Sequence, residues 1–165
     1  MIVVQDANIL IDLYEADLLE SFFVLSVESH STDLVLYEIA QPIHGYVTSG
    51  KIRKHILTQD QLAQVFQIQA TLGQNVSLPD SSVLWLARKL GDNARLLTGD
   101  GKLRQCAESN GIKVHGLLWI LDQLVENKIV PPKAMISKLE KLLRLGSRLP
   151  DEECQKRIVK WRSGQ

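Results

Sequence analysis

The chain has 165 residues, with 19 Lys or Arg against 19 Asp or Glu, so its formal charge is zero and overall charge points to no anionic partner. Its 45% hydrophobic and 23% charged residues are those of an ordinary globular protein, which excludes disordered and fibrous classes. No apolar run approaches the roughly 20 residues that span a bilayer, and the length suits one domain.

The first apolar run, Ile2 to Val4, is short and β-branched and reads as a buried parallel strand that feeds a helix at Asp6, NILIDLYEA. A patch from Val24 to Val27 predicts the second strand. The polar cluster Ser31 to Asp33 starts the helix DLVLYEIAQ, which Pro42 and Gly45 should end. A weaker strand is expected near Lys51 to Leu57. Leu62, Val65, Phe66 and Leu72 then recur at helical spacing, with Gly73 as the stop.

The segment PDSSVLWLARKLG opens with a Pro-Asp signal, carries Val83, Leu86, Ala87 and Leu90 on one face, and stops at Gly91. ARLLTGD reads as a strand and polar turn, KLRQCAESNG as a helix closed by Gly111, and IKVHG as another strand. Helical patterns follow around Leu117 to Val125, Met135 to Leu143 and LPDEECQKRIVKW, the first two separated by Pro131 and Pro132.

Strands alternating with helices predict an α/β doubly wound parallel sheet with a helical carboxy-terminal extension. The expected division is a main domain over 1–130 and an extension over 131–165 packed on it. In such sheets chemistry sits beyond the carboxyl ends of the strands. Asp6 and Asp100 follow strands there. Glu38 and Asp80 share helix faces with core residues, so they are expected to point coreward. A buried carboxylate needs a partner, and the first 38 residues hold eight acids and no Lys or Arg. A shared divalent cation would neutralise the set. Taken singly, each acid also reads as an ordinary cap, turn or solvated helix end.

The strings VVQDANILID, DLVLYEI, LPDSSVLWLA and LLTGDGKLR, in this order, resemble the four acidic motifs of the PIN domain family, which includes many toxin components of bacterial toxin-antitoxin pairs. The resemblance covers about residues 1 to 125. It implies a metal-dependent ribonuclease with Asp6, Glu38, Asp80 and Asp100 as catalytic metal ligands, and with Asn8 and Thr98 as polar supports. It implies Mg2+ or Mn2+ as cofactor and RNA as substrate, while the apolar stripe from Met135 to Leu143 offers a face for packing on the domain, for a second copy of the chain or for an antitoxin-like partner. Hard oxygen donors suit these ions, and two of them about 4 Å apart activate a water and stabilise the leaving oxygen in such nucleases. His30, His44, His55 and His115 are scattered and offer no zinc site.

An acidic pocket repels a phosphate backbone, so cations elsewhere must hold the substrate. Arg104 and Lys102, just beyond Asp100, are the first candidates, followed by Lys51, Arg53, Lys54 and the basic carboxy-terminal segment. That segment, 133–165, has nine bases against four acids. Lys133, Lys138, Lys141 and Arg144 read equally as the solvated face of an amphipathic helix. Cys106 and Cys154 receive no role, and the amino terminus MIVVQD lacks the features of a secretory signal, so a cytoplasmic location is expected. Two other classes compete. A receiver-like phosphoacceptor would need an acidic pair at the first strand, where QDAN has one acid. A PIN-like module that binds RNA or protein without cutting would keep the fold and lack hydrolysis.

Overall fold

The IVV run and the tetrapeptide ARLL become adjacent inner strands of one parallel sheet in the computed structural model, which describes residues 1–72 and 76–164. The five strands are β1 (Ile2–Gln5), β2 (Glu28–Thr32), β3 (Ile52–His55), β4 (Ala94–Leu97) and β5 (Lys113–His115), in the order β3-β2-β1-β4-β5. All four pairings are parallel. The order reverses between β1 and β4, the position at which a doubly wound sheet opens a crevice.

Helices cover both faces. They are α1 (Ala7–Glu15), α2 (Leu19–Phe22), α3 (Asp33–Glu38), α4 (Gln41–Thr48), α5 (Gln59–Leu72), α6 (Leu78–Leu90), α7 (Gly101–Ser109), α8 (Leu117–Glu126), α9 (Pro132–Arg144) and α10 (Asp151–Ser163). Successive strand residues point to opposite faces, and the inner strands show it directly. Val3 and Leu97 join one core with Ile9, Leu13, Leu121, Leu139 and Trp161, whereas Val4 and Leu96 join the other with Val35, Val83, Leu86 and Leu103. The result is a three-layer α/β domain. The carboxy-terminal helices belong to the first of these layers: Met135, Leu139 and Leu142 of α9 and Ile158 and Trp161 of α10 pack among residues of α1 and α8.

The second strand differs from expectation. Val24 to Val27 forms tight turns after α2, with the amides of Val24 and Leu25 donating to the carbonyls of Ser21 and Phe22, and β2 is the polar stretch ESHST. Most of its buried side chains bond to groups on neighbouring elements. Gln5 and Ser29 exchange hydrogen bonds of 2.7 and 2.9 Å, the Ser31 hydroxyl donates to the Gln5 carbonyl, and the rings of His30 and His55 meet at 2.8 Å. Satisfied polar groups cost little to bury, so apolar periodicity does not mark this strand.

The helix after Thr32 also differs. It ends at Glu38, and Pro42 and Gly45 lie inside α4 instead of terminating a helix. Pro42 occupies the first turn, where its missing N–H leaves no bond unmade. The expected stop at Gly73 lies outside the described residues. Gly91 closes α6 at φ +78, a conformation that a side chain would strain. Among the described residues no helix is long and apolar enough to cross a membrane.

Candidate functional site

Asp6 leaves the carboxyl end of β1 and Asp100 stands just beyond the carboxyl end of β4, so the two flank the point where strand order reverses. Each is the N-cap of the helix that follows. Asp6 Oδ1 accepts from the Ile9 amide at 2.9 Å, and Asp100 Oδ1 accepts from the Leu103 amide at 2.7 Å. Capping occupies one oxygen of each carboxylate and fixes the direction of the other. Thr98, at the end of β4, donates from Oγ1 to Asp6 Oδ2 at 2.5 Å and accepts from the Asp100 amide at 3.0 Å. One threonine thus ties the two strand ends together.

Asp80 enters from the helix layer. Ser77 caps α6 by accepting from the Asp80 amide at 3.1 Å, and its hydroxyl donates to Asp80 Oδ2 at 2.7 Å. Two residues further, Ser82 Oγ meets Thr32 Oγ1 at 2.6 Å, and Thr32 is the N-cap of α3. This contact fixes the start of α6 against the start of the short helix that carries Glu38.

Burial ranks the four acids. Asp6 is 1% exposed, Asp80 is half-buried, and Asp100 and Glu38 are exposed. The expected coreward face therefore holds only partly for Asp80 and fails for Glu38. Glu38 is the last residue of α3, where the chain leaves helical geometry, and helix phase no longer decides which way it faces.

The titration of the acids reports their common surroundings. Burial pushes the Asp6 carboxyl up to about 6, against the opposing bonds from Thr98 and Ile9, and the carboxylates of Asp80 and Asp100 add to the rise. Glu38 is also raised, first by loss of solvent around its carboxyl and then by Asp80. Four acids from four elements therefore share one electrostatic neighbourhood. Among the described residues no Lys, Arg or His forms an ion pair with any of them.

In chemistry the set fits a hard dication, being composed of carboxylate oxygens with no competing sulfur or imidazole. In spacing it is open: among the described residues no three His, Cys, Asp or Glu side chains converge closely enough to hold an ion.

The supporting residues divide. Thr98 is fully buried and bonded to Asp6, whereas Asn8 is exposed on α1 and lines a 410 Å³ cavity together with Asp100. Of the cations, Arg104 Nη2 lies 3.5 Å from the Thr98 carbonyl, its Nη1 lies 3.6 Å from Glu108, and Lys102 is exposed. A Cβ on Gly116 would stand 3.1 Å from Arg104 Nη2, so the absence of a side chain there makes room for the guanidinium. Lys51 and Arg53 are paired with Glu20 and Glu28, and Lys138 and Lys141 both reach Asp17. These last two lysines neutralise part of the acidic amino-terminal segment.

Sequence reasoning missed the loop between α9 and α10. Ser147 Oγ donates to Asp12 Oδ1 at 2.7 Å, and the loop walls the cavity that holds Asn8 and Asp100. The bond joins residues 135 apart in sequence, so no local pattern announces it.

A family model, DUF3368, described as a PIN domain, matches residues 2–163. None of the curated proteins compared with the chain matches it.

Proposed function

The chain belongs to the PIN domain family, and from that premise we propose that it is a divalent-metal-dependent ribonuclease acting at the rim formed by Asp6, Glu38, Asp80 and Asp100. The fold is of nuclease type, and PIN domains typically use divalent metals. One observation carries the reading. Asp6 and Asp100 leave neighbouring strands at the reversal of strand order, Asp80 of α6 lies close enough to raise the titration of both Asp6 and Glu38, and among the described residues no cation from the protein is paired with any of the four.

Asp6 and Asp100 would be the principal ligands of Mg2+ or Mn2+, with Asp80 and Glu38 completing the set. The bound cation supplies charge stabilisation for a phosphodiester and for the water that attacks it. The protein supplies position. Thr98 holds the Asp6 carboxylate in one rotamer, as groups behind metal ligands commonly do, and the two N-caps keep the Asp6 and Asp100 carboxylates on the crevice side of their helices. Glu38, exposed at the end of α3, would help to bind the cation or orient the attacking water.

Mn2+ calorimetry on the wild-type and Asp100→Asn proteins tests this without knowledge of the substrate. Binding that is lost in the variant, together with Mn2+-dependent cleavage of single-stranded RNA, is the expected result. A folded wild-type protein that takes up no Mn2+ in the presence or absence of RNA overturns it.

A further inference from the structure

The 410 Å³ cavity beside Asp100 is walled by two parts of the chain that sequence alone keeps far apart. Asn8, Asp12, Asp100 and Leu117 line one side, and Leu145 and Arg148 of the α9–α10 loop line the other. The volume lies within the roughly 300–1,000 Å³ of small-ligand sites. The loop is tied in place: Ser147 bonds to Asp12, and Leu149 packs against the core of the first layer.

The chemistry of the walls is mixed in a specific way. Arg148 is exposed and, among the described residues, forms no ion pair, unlike Lys138, Lys141 and Arg157 of the flanking helices. Leu145 is 53% exposed, large and apolar, although it lines a concave surface. An uncommitted guanidinium beside an exposed apolar side chain, next to an acid of the candidate metal site, matches one nucleotide unit of a nucleic-acid strand. The phosphate meets Arg148, and the sugar or base rests on Leu145.

We infer that the α9–α10 loop forms a substrate subsite, with Arg148 contacting a phosphate of the strand that enters the acidic rim. This rests on the proposed ribonuclease reading and adds to it a positioning residue from the carboxy-terminal segment. Arg148 does not touch the reacting atoms in this view. It sets where the strand lies relative to Asp100, and the loop is thereby part of the site.

The test uses the full chain, Mn2+, and a short fluorescein-labelled single-stranded RNA of mixed sequence, followed by anisotropy across a salt series. Arg148→Ala should weaken binding several-fold and reduce the slope of log affinity against log salt by roughly 0.7, the share of one phosphate contact on a single strand. Arg148→Lys should restore most of the slope, because a point charge suffices for it. Arg88→Ala, on the exposed last turn of α6, should leave both unchanged. Mn2+ binding measured by calorimetry should be the same in Arg148→Ala as in the wild type.

An Arg148→Ala protein with wild-type affinity and slope overturns the inference, as does a wild-type protein that does not bind the RNA. Either result, obtained while Mn2+ binding remains sensitive to Asp100→Asn, leaves the metal-site reading standing. Loss of Mn2+ binding in the wild type with an intact Arg148 slope separates the two in the other direction.

Discussion

Thr98 Oγ1 donates to Asp6 Oδ2 while accepting from the Asp100 amide, so a single buried hydroxyl joins the carboxyl ends of the two strands between which the sheet reverses. Thr98→Val keeps shape and removes both bonds. The expected cost at pH 7 is about 1–3 kcal/mol, the penalty of an unsatisfied buried acceptor, seen as a lower midpoint in urea with unchanged slope. Mn2+ affinity should fall roughly tenfold to a hundredfold, as it does when a group behind a metal ligand is lost. Unchanged affinity would remove Thr98 from the support of the site.

Asp6 makes the metal-free protein sensitive to pH in a defined direction. Its carboxyl titrates near 6 in the fold against 3.8 in the unfolded chain, so between these values the folded form holds a proton that the unfolded form has lost. Stability from this group is greatest below 3.8, falls as pH rises through the window, and levels off above about 6. The full loss is about 3 kcal/mol. Urea titrations of the wild-type and Asp6→Asn proteins at a series of pH values should differ by this slope. Mn2+ at a hundred times its dissociation constant should return about 2.7 kcal/mol to the wild type at neutral pH and little to Asp6→Asn. Parallel pH profiles for the two proteins would contradict the assignment.

Arg104 can be moved without being mutated. In Gly116→Ala the new Cβ would lie 3.1 Å from Arg104 Nη2, and the guanidinium, being the end of a flexible side chain, should shift away from the Thr98 carbonyl. The backbone at Gly116 is extended, with φ −105, so stability should change by less than about 1 kcal/mol. If Arg104 contacts the strand, Gly116→Ala and Arg104→Ala should each weaken RNA binding. Their double variant should then be no weaker than Arg104→Ala alone, by anisotropy. Strict additivity would mean that Gly116 acts on binding by another route.

The helices α9 and α10 share a core with α1 and α8, and a core substitution there should be felt by the whole molecule. Leu139→Ala, at a fully buried position, should cost about 2–5 kcal/mol. Far-UV circular dichroism and tryptophan fluorescence, to which Trp85 contributes from one face of the sheet and Trp119 and Trp161 from the other, should follow one transition. A separate early transition confined to the carboxy-terminal helices would show that they fold as their own unit.

Most of the architecture was legible in the sequence because most of it is written in apolar periodicity. The IVV run, the stripe from Val83 to Leu90 and the alternation around ARLLTGD and IKVHG each place an element correctly. β2 was not legible. Its Ser29, His30, Ser31 and Thr32 are buried and polar, and their partners are Gln5, His55 and Ser82, residues that sequence distance hides. The boundary between α3 and α4 failed for a related reason, since Pro42 reads as a stop and serves in the fold as a start.

The same division runs through the candidate site. The sequence by itself determined that Asp6 and Asp100 follow strands and cap helices, because a cap is a local bond between a side chain and an amide three residues on. It also determined the surplus of acid near the amino terminus and of base near the carboxy terminus. Only the tertiary structure decided that Glu38 faces solvent, that Thr98 reaches Asp6, that Lys138 and Lys141 are committed to Asp17, and that Arg148 and Asp100 line one cavity. Those are contacts between elements, set by sheet order and helix packing. Periodicity along the chain carries one element's face and phase, but not the neighbour that the face meets.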